Sequence, residues 1–180
     1  WRTSVMPNYN GVWSLVTQLQ YVSDWPSPPL GRMITAGGLD SSTPTNVIVS
    51  TNIVAGGANS IDFGDLSVAR QGSSACASTT RACIGGGSTG GGFEPVNTID
   101  YITIASTGNA IDFGDTIGNI GYMGGCADTI NALFAGGQAT YTNQIQFVVI
   151  ATTANSTDFG DLSVARSDMA GCSSDHGGLQ

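Results

Sequence analysis

Lysine is absent from this 180-residue chain, and glutamate and histidine occur once each, as Glu94 and His176. Without lysine there is no P-loop of the G-x-x-x-x-G-K type, no Schiff-base lysine and no lysine-lined phosphate groove. A formal net charge of -8 opposes non-specific nucleic-acid binding. Long apolar runs are missing too. The longest, Phe147 to Ala151, is far short of the roughly 20 residues that cross a bilayer as a helix. The chain opens at Trp1 with neither a basic n-region nor an apolar signal core, as expected of a processed product or a piece of something longer. With so few straight-chain helix formers, 26 glycines and abundant Ser, Thr, Asn, Val and Ile, the composition is that of an all-β protein.

What is present is internal repetition. The strings IDFGDLSVARQGSSACASTTRACIGGG from Ile61, IDFGDTIGNIGYMGGCADTINALFAGG from Ile111 and TDFGDLSVARSDMAGCSSDHGGLQ from Thr157 align. Asp62, Asp112 and Asp158 recur at spacings of 50 and 46 residues, and Cys76, Cys126 and Cys172 recur at the same two spacings. A double glycine closes a short apolar run at Gly37-Gly38, Gly86-Gly87 and Gly136-Gly137, and an asparagine opens a β-branched run at Asn46, Asn97 and Asn143.

Each repeat reads as four short strands. The first runs to the cysteine, over 72–77, 122–127 and 168–173. The second ends at the double glycine, the third follows the asparagine over 97–105 or 143–151, and the fourth carries DFGD with glycine as a bend. In the third strand Ile145, Phe147 and Val149 alternate with Gln144 and Gln146, after which both faces turn apolar, as expected of a strand covered on both sides. Four antiparallel strands in units of 46–50 residues match a β-propeller blade. Solenoid coils use shorter periods.

These residues resemble a kelch-type blade: Ala69-Arg70 or Ala165-Arg166, a small-residue strand, an apolar run closed by Gly-Gly, and Asn-x-Ile-x-Tyr/Phe. Phe63, Phe113 and Phe159 stand where kelch repeats usually carry tryptophan, and Ile120 replaces the arginine in the second repeat. The string NTIDYITIASTGNAIDFGD is similar to repeats of virion proteins of aquatic bacteriophages, tail-fibre and appendage proteins above all. The resemblance covers residues 32–180. It implies a non-enzymatic structural protein of a phage tail fibre or appendage, in the virion or outside the cell. Its expected partners are other virion proteins or copies of itself, with host-surface carbohydrate touched through blade loops. No cofactor, nucleic-acid partner or membrane insertion is expected. The alternative is an adhesion or interaction propeller of an extracellular bacterial protein. A galactose-oxidase-like or sialidase-like enzyme is disfavoured by the single histidine and five arginines. About three repeats fall short of the 4 to 8 blades, roughly, of closed propellers. The chain is therefore expected to belong to a longer propeller or to associate with copies of itself.

The carboxylates Asp62, Asp65, Asp112, Asp115, Asp158 and Asp161 recur at a strand end, where Asp65, Asp115 or Asp161 is expected to accept backbone N–H bonds in a turn, with calcium binding and paired-acid catalysis as alternatives. The double glycines fit positions needing positive φ or close backbone approach. The three repeat cysteines read as small buried hydrophobes, although Cys76 and Cys83 can face each other across a hairpin and bond. Cysteine and histidine spacing offers no zinc site. His176 reads as an exposed turn residue, and the sequon at Asn155 as incidental because Asn109 has none. Binding is expected on the connections between second and third strands, of 7, 9 and 5 residues (39–45, 88–96 and 138–142). Asp40, Phe93, Glu94, Thr140 and Tyr141 offer carboxylate and aromatic contacts there. Residues 1–31 fit the repeat poorly and read as a degenerate strand, cap or docking piece.

Overall fold

The computed structural model describes residues 31–53 and 59–173. The chain divides into two units, Trp1–Leu30 and Gly31–Gln180. The first, with the expected degenerate strand, lies outside the described residues, as do residues 174–180 and with them His176.

Among the described residues the fold is all-β. Thirteen strands run β1 (Arg32–Ala36), β2 (Leu39–Asp40), β3 (Thr43–Pro44), β4 (Val47–Asn52), β5 (Ile61–Asp65), β6 (Ser74–Ala77), β7 (Arg81–Gly85), β8 (Thr98–Thr103), β9 (Ile111–Asp115), β10 (Gly124–Ala127), β11 (Asn131–Ala135), β12 (Gln144–Val149) and β13 (Thr157–Asp161). They form antiparallel sheets in chain order: β1-β4-β5, β6-β7-β8-β9 and β10-β11-β12-β13, with β2-β3 a separate hairpin. The four-strand reading of the second and third repeats is therefore met strand for strand. Two details differ. The 39–45 connection is itself a hairpin, and residues 168–173, expected as a strand, belong to no sheet.

The hairpin turns come from local side-chain chemistry. The backbone N–H groups of Thr80 and Arg81 donate to Ser78 Oγ, and those of Ile130 and Asn131 donate to Asp128 Oδ1. Cys76 and Cys83 are register partners across the first of these hairpins.

The DFGD motif has a geometric role not visible in its composition. Ile99 pairs Gly114 while Asp100 pairs Asp112, so Phe113 is the extra residue of a β-bulge; Phe63 and Phe159 occupy the same place in their strands. The glycine that follows has φ 149°, 144° and 147° at positions 64, 114 and 160, a region side chains rarely adopt.

Consecutive sheets stack through apolar faces. Ile48, Phe63 and Leu66 of the first repeat pack on Ala82, Ile84 and Ile102 of the second sheet. On the other face of that sheet, Cys83, Ile99 and Phe113 pack on Ala132, Phe134, Val148 and Ile150. The bulged Phe63 and Phe113 are each 3 % exposed, and burying such a ring contributes about 3 kcal/mol. Tyr101 meets Phe113 edge to face at 5.9 Å.

The third strand is covered on both sides in the second sheet, where Ile99 and Asp100 are both inaccessible. In β12 the expected polarity is inverted. Gln146 lies on the buried face and Phe147 on the half-covered one, because Gln146 has hydrogen-bond partners in the sheet junction.

Candidate binding face

Each second-to-third-strand connection leaves its sheet at the double glycine. At Gly37, Gly86 and Gly136 φ is 66°, 60° and 59°, and a Cβ there would strike the backbone carbonyl of Arg70, Ile120 and Arg166 respectively. The next N–H in each case, from Gly38, Gly87 and Gly137, donates to that same carbonyl. All three connections are thus pinned to the segment after the bulged strand and emerge at corresponding ends of their sheets.

Asp40 is exposed in the β2-β3 hairpin and accepts a bond from Ser41 Oγ. Phe93 and Glu94 sit side by side on the second connection. The Glu94 N–H donates to Ser88 Oγ at 2.8 Å, and the Phe93 ring lies 5.9 Å from Tyr122. Thr140 and Tyr141 tip the third connection, with Tyr141 65 % exposed. Among the described residues no hydrogen bond or ring contact joins the three connections to one another. The arrangement is three separate tips of aromatic and acidic groups. Its chemistry suits weak contacts with sugar faces and hydroxyls. A groove of about 470 Å³ lies elsewhere, between β1 and β6, lined by Ile34, Ala36, Cys76, Ala82 and Ile84.

The most developed polar chemistry lies between the sheets and was not expected from the sequence. Arg70 Nη2 is 2.9 Å from Asp100 Oδ2, and both side chains are fully buried. Arg70 also donates to the Ile84 carbonyl, while Ser67 gives its N–H and hydroxyl to the Asp100 carboxylate. Burial pushes the Arg70 pKa down and the Asp100 charge opposes the shift; arginine stays protonated through such changes. At the equivalent junction Ile120 replaces Arg70 and Gln146 replaces Asp100. Gln146 Oε1 accepts the Ile117 N–H at 2.8 Å and the Ser156 hydroxyl at 2.6 Å. The signal was present as a matched change of both partners, Arg with Asp and Ile with Gln.

Two further contacts recur. Asn109 Oδ1 accepts the Asp65 N–H at 3.1 Å and Asn155 Oδ1 accepts the Asp115 N–H at 3.0 Å. The sequon asparagine therefore ties one sheet to the next, as does the counterpart that lacks a sequon. Arg32 donates to the Ile104 carbonyl and Arg81 to those of Ile150 and Ala151. Arg81 also stacks on Tyr101 at 4.6 Å.

The DFGD carboxylates do not cap turns as expected. In this motif the backbone N–H groups of Asp65 and Asp115 donate to Asn109 and Asn155, and among the described residues only the Asp158 carboxylate accepts a local bond, from the Gly160 N–H. Among the described residues no three His, Cys, Asp or Glu side chains converge on one point. Cys76, Cys83, Cys126 and Cys172 are free thiols; Cys76 and Cys83 are buried, and burial pushes the Cys83 pKa up to about 11. No helix of the described residues is long and apolar enough to cross a membrane. No protein-family model and no curated protein matches the chain.

Proposed function

We propose that the chain is a non-enzymatic structural protein of a phage virion, part of a tail fibre or appendage, built as kelch-like propeller blades. The observation that carries this reading is the conserved geometry of the junctions beside the freedom of the connections. The same bulge, double-glycine and asparagine contacts recur from sheet to sheet. The connections that leave those sheets differ in length and chemistry. A rigid stack with variable tips is what an attachment structure needs.

The blade reading draws on sheet order and on the close approach of β10 to β6, where a Cβ on Gly125 would strike Ser74 Oγ. First strands that crowd against one another fit leaves set around an axis. Arg32, Arg70 and Arg81 are engaged between sheets, which leaves little with which to build an anion-binding enzyme site. Asp40, Phe93, Glu94, Thr140 and Tyr141 are the proposed contacts for host-surface carbohydrate. The same features would serve an extracellular bacterial adhesion propeller. That reading differs in where the protein resides.

Immunogold labelling with antibodies against the full chain tests the first reading, on particles of the phage that carries the gene. Labelled appendages support it, and unlabelled particles with labelled cell surfaces support the second. A glycan array probed with the chain and with Tyr141→Ala tests the carbohydrate contact. Binding that the substitution leaves unchanged removes Tyr141 from it.

A further inference from the structure

Tyr122 is held at a conformational cost that its counterparts avoid. Its φ is 58°, at the place where the first repeat has Gly72 with φ 62° and the third has Asp168 with φ 55°. Glycine and aspartate enter this left-handed region readily, whereas for a bulky side chain it is an outlier. The Tyr122 ring lies against Gly72, where an added Cβ would come within 2.7 Å of its Cε1. A strained backbone and a missing side chain thus both serve the placement of one ring.

Phe93 reaches the same spot from the longest connection, 88–96. Its ring stands 5.9 Å from that of Tyr122 at an interplanar angle of 33°, and Phe93 remains 37 % exposed. The connection is closed on itself. The Thr89 N–H donates to the Glu94 carbonyl at 3.0 Å, the Glu94 N–H to Ser88 Oγ at 2.8 Å, and Gln71 Nε2 to the Gly90 carbonyl at 3.1 Å. An added Cβ on Gly91 or Gly92 would meet nothing within 4 Å, so the approach beside Phe93 is clear of other chain. Among the described residues the Tyr122 hydroxyl and the exposed Glu94 carboxylate make no hydrogen bond, and no arginine pairs with Glu94. The first connection carries no ring at all, and among the described residues Tyr141 on the third meets no second ring.

We propose that Phe93 and Tyr122 form a stacking platform for one neutral pyranose ring, with the Glu94 carboxylate accepting from its hydroxyls and the Tyr122 hydroxyl supplying a further bond. The apolar C–H face of a sugar packs on aromatic rings, and its hydroxyls need acceptors within reach that are not already committed. The closed connection holds the rings before any ligand arrives, which cuts the ordering cost of binding. Charge selects the class of sugar. Glu94 has no counter-cation, so the carboxylate of an acidic sugar would be repelled there. Strain points the same way, because packing alone is met at this position by the less costly Gly72 and Asp168 in the other repeats. The inference rests on the carbohydrate contact proposed above and deepens it. Tyr122 joins that contact, and the second connection becomes its principal site.

Saturation-transfer NMR on the 180-residue chain tests the proposal, with methyl β-galactopyranoside, methyl β-glucopyranoside and the methyl glycoside of N-acetylneuraminic acid as probes. The two neutral glycosides should receive saturation on their ring protons, and the anionic one at least about threefold less. Phe93→Ser and Tyr122→Gly should each cut the neutral signal at least about fivefold, while Tyr122→Phe, which keeps the ring, should retain more than about half of it. Tyr122→Gly installs the residue of the first repeat, so its thermal midpoint should stay within about 5 °C of the parent; a larger fall assigns the ring to packing and overturns the proposal. Phe93→Ser changes only an exposed loop side chain and reads the platform independently of that midpoint. A neutral signal that survives either ring loss overturns the proposal, as does an anionic probe that binds as well as the neutral ones. If the signal survives and Tyr141→Ala abolishes it, the carbohydrate contact stands and its site is the third connection. If neither neutral glycoside receives saturation, the platform is overturned, and the virion reading is judged by the immunogold labelling alone.

Discussion

Arg70 and Asp100 meet at 2.9 Å across a sheet junction from which both side chains are completely shielded from solvent. Two of the arginine's nitrogens, Nε and Nη1, find no partner there among the described residues. The pair is incompletely satisfied, and its contribution lies in matching two sheets more than in net stability. Asp100→Gln alone should destabilise the fold by about 3–5 kcal/mol, because it leaves a buried guanidinium without its counter-charge. The double change Arg70→Ile with Asp100→Gln installs the chemistry of the neighbouring junction and should recover most of that loss. Urea unfolding of the two singles and the double checks this, and additive losses would count against it.

The bulge phenylalanines offer a comparison within one molecule. Phe113→Ala should cost about 3–5 kcal/mol, since its ring fills the junction between the second and third sheets. Phe159→Ala, on the open face, should stay within about 1 kcal/mol of the parent. Similar costs at both sites, read from denaturation midpoints, would mean that position 159 is covered in solution.

Glycine substitutions separate backbone strain from contact. Gly114→Ala and Gly160→Ala impose the same unfavourable φ, about 1–3 kcal/mol each. Only Gly114→Ala also drives a methyl into the Ala154 carbonyl. Its thermal midpoint should therefore fall further than that of Gly160→Ala.

Acid and alkali should act through different groups. Asp128 is held below the usual carboxylate range by the N–H groups of Asn131 and Ile130. Its contribution is present above the unfolded carboxylate pKa of about 3.9 and is lost as pH falls through the lower folded value. Asp128→Ala should flatten the acid limb of the stability profile. Cys83 is displaced the other way, up to about 11, so its contribution is intact below the unfolded thiol pKa of about 8.5 and disappears as pH rises through 11. Cys83→Ala should reduce the alkaline loss, measured by denaturation midpoints from pH 7 to 11. At neutral pH the exposed Cys172 should react with a thiol reagent well before the buried Cys76 and Cys83.

The repeat landmarks made the strand order legible, because a double glycine, a cysteine and DFGD at matching spacings mark turns and strands directly. The junction chemistry was harder to read. Asp100 stands 30 residues after Arg70 in a different repeat, and alternation at the start of β12 set Gln144 and Gln146 on the face away from Ile145 and Phe147. The second apolar face of the next sheet overrides that pattern, enclosing Asp100 and Gln146. The bulge at Phe63 and Phe113 was likewise hidden, since one extra residue leaves the composition of a strand unchanged. For the candidate face, the lengths of the connections identified exposed tips at Asp40 and Tyr141. They did not show that Phe93 leans on Tyr122, a contact set by the third dimension.

The two junctions differ chemically although their sheets are nearly interchangeable in outline. If the first sheet skipped its neighbour and closed on the third, Arg70 would confront Gln146 and bury a lone cation. If the second sheet met a carboxylate-bearing one, Ile120 would leave an anion stranded. Each border thus works as a key cut for one lock, and a growing polypeptide made of look-alike parts is steered into a single order of assembly.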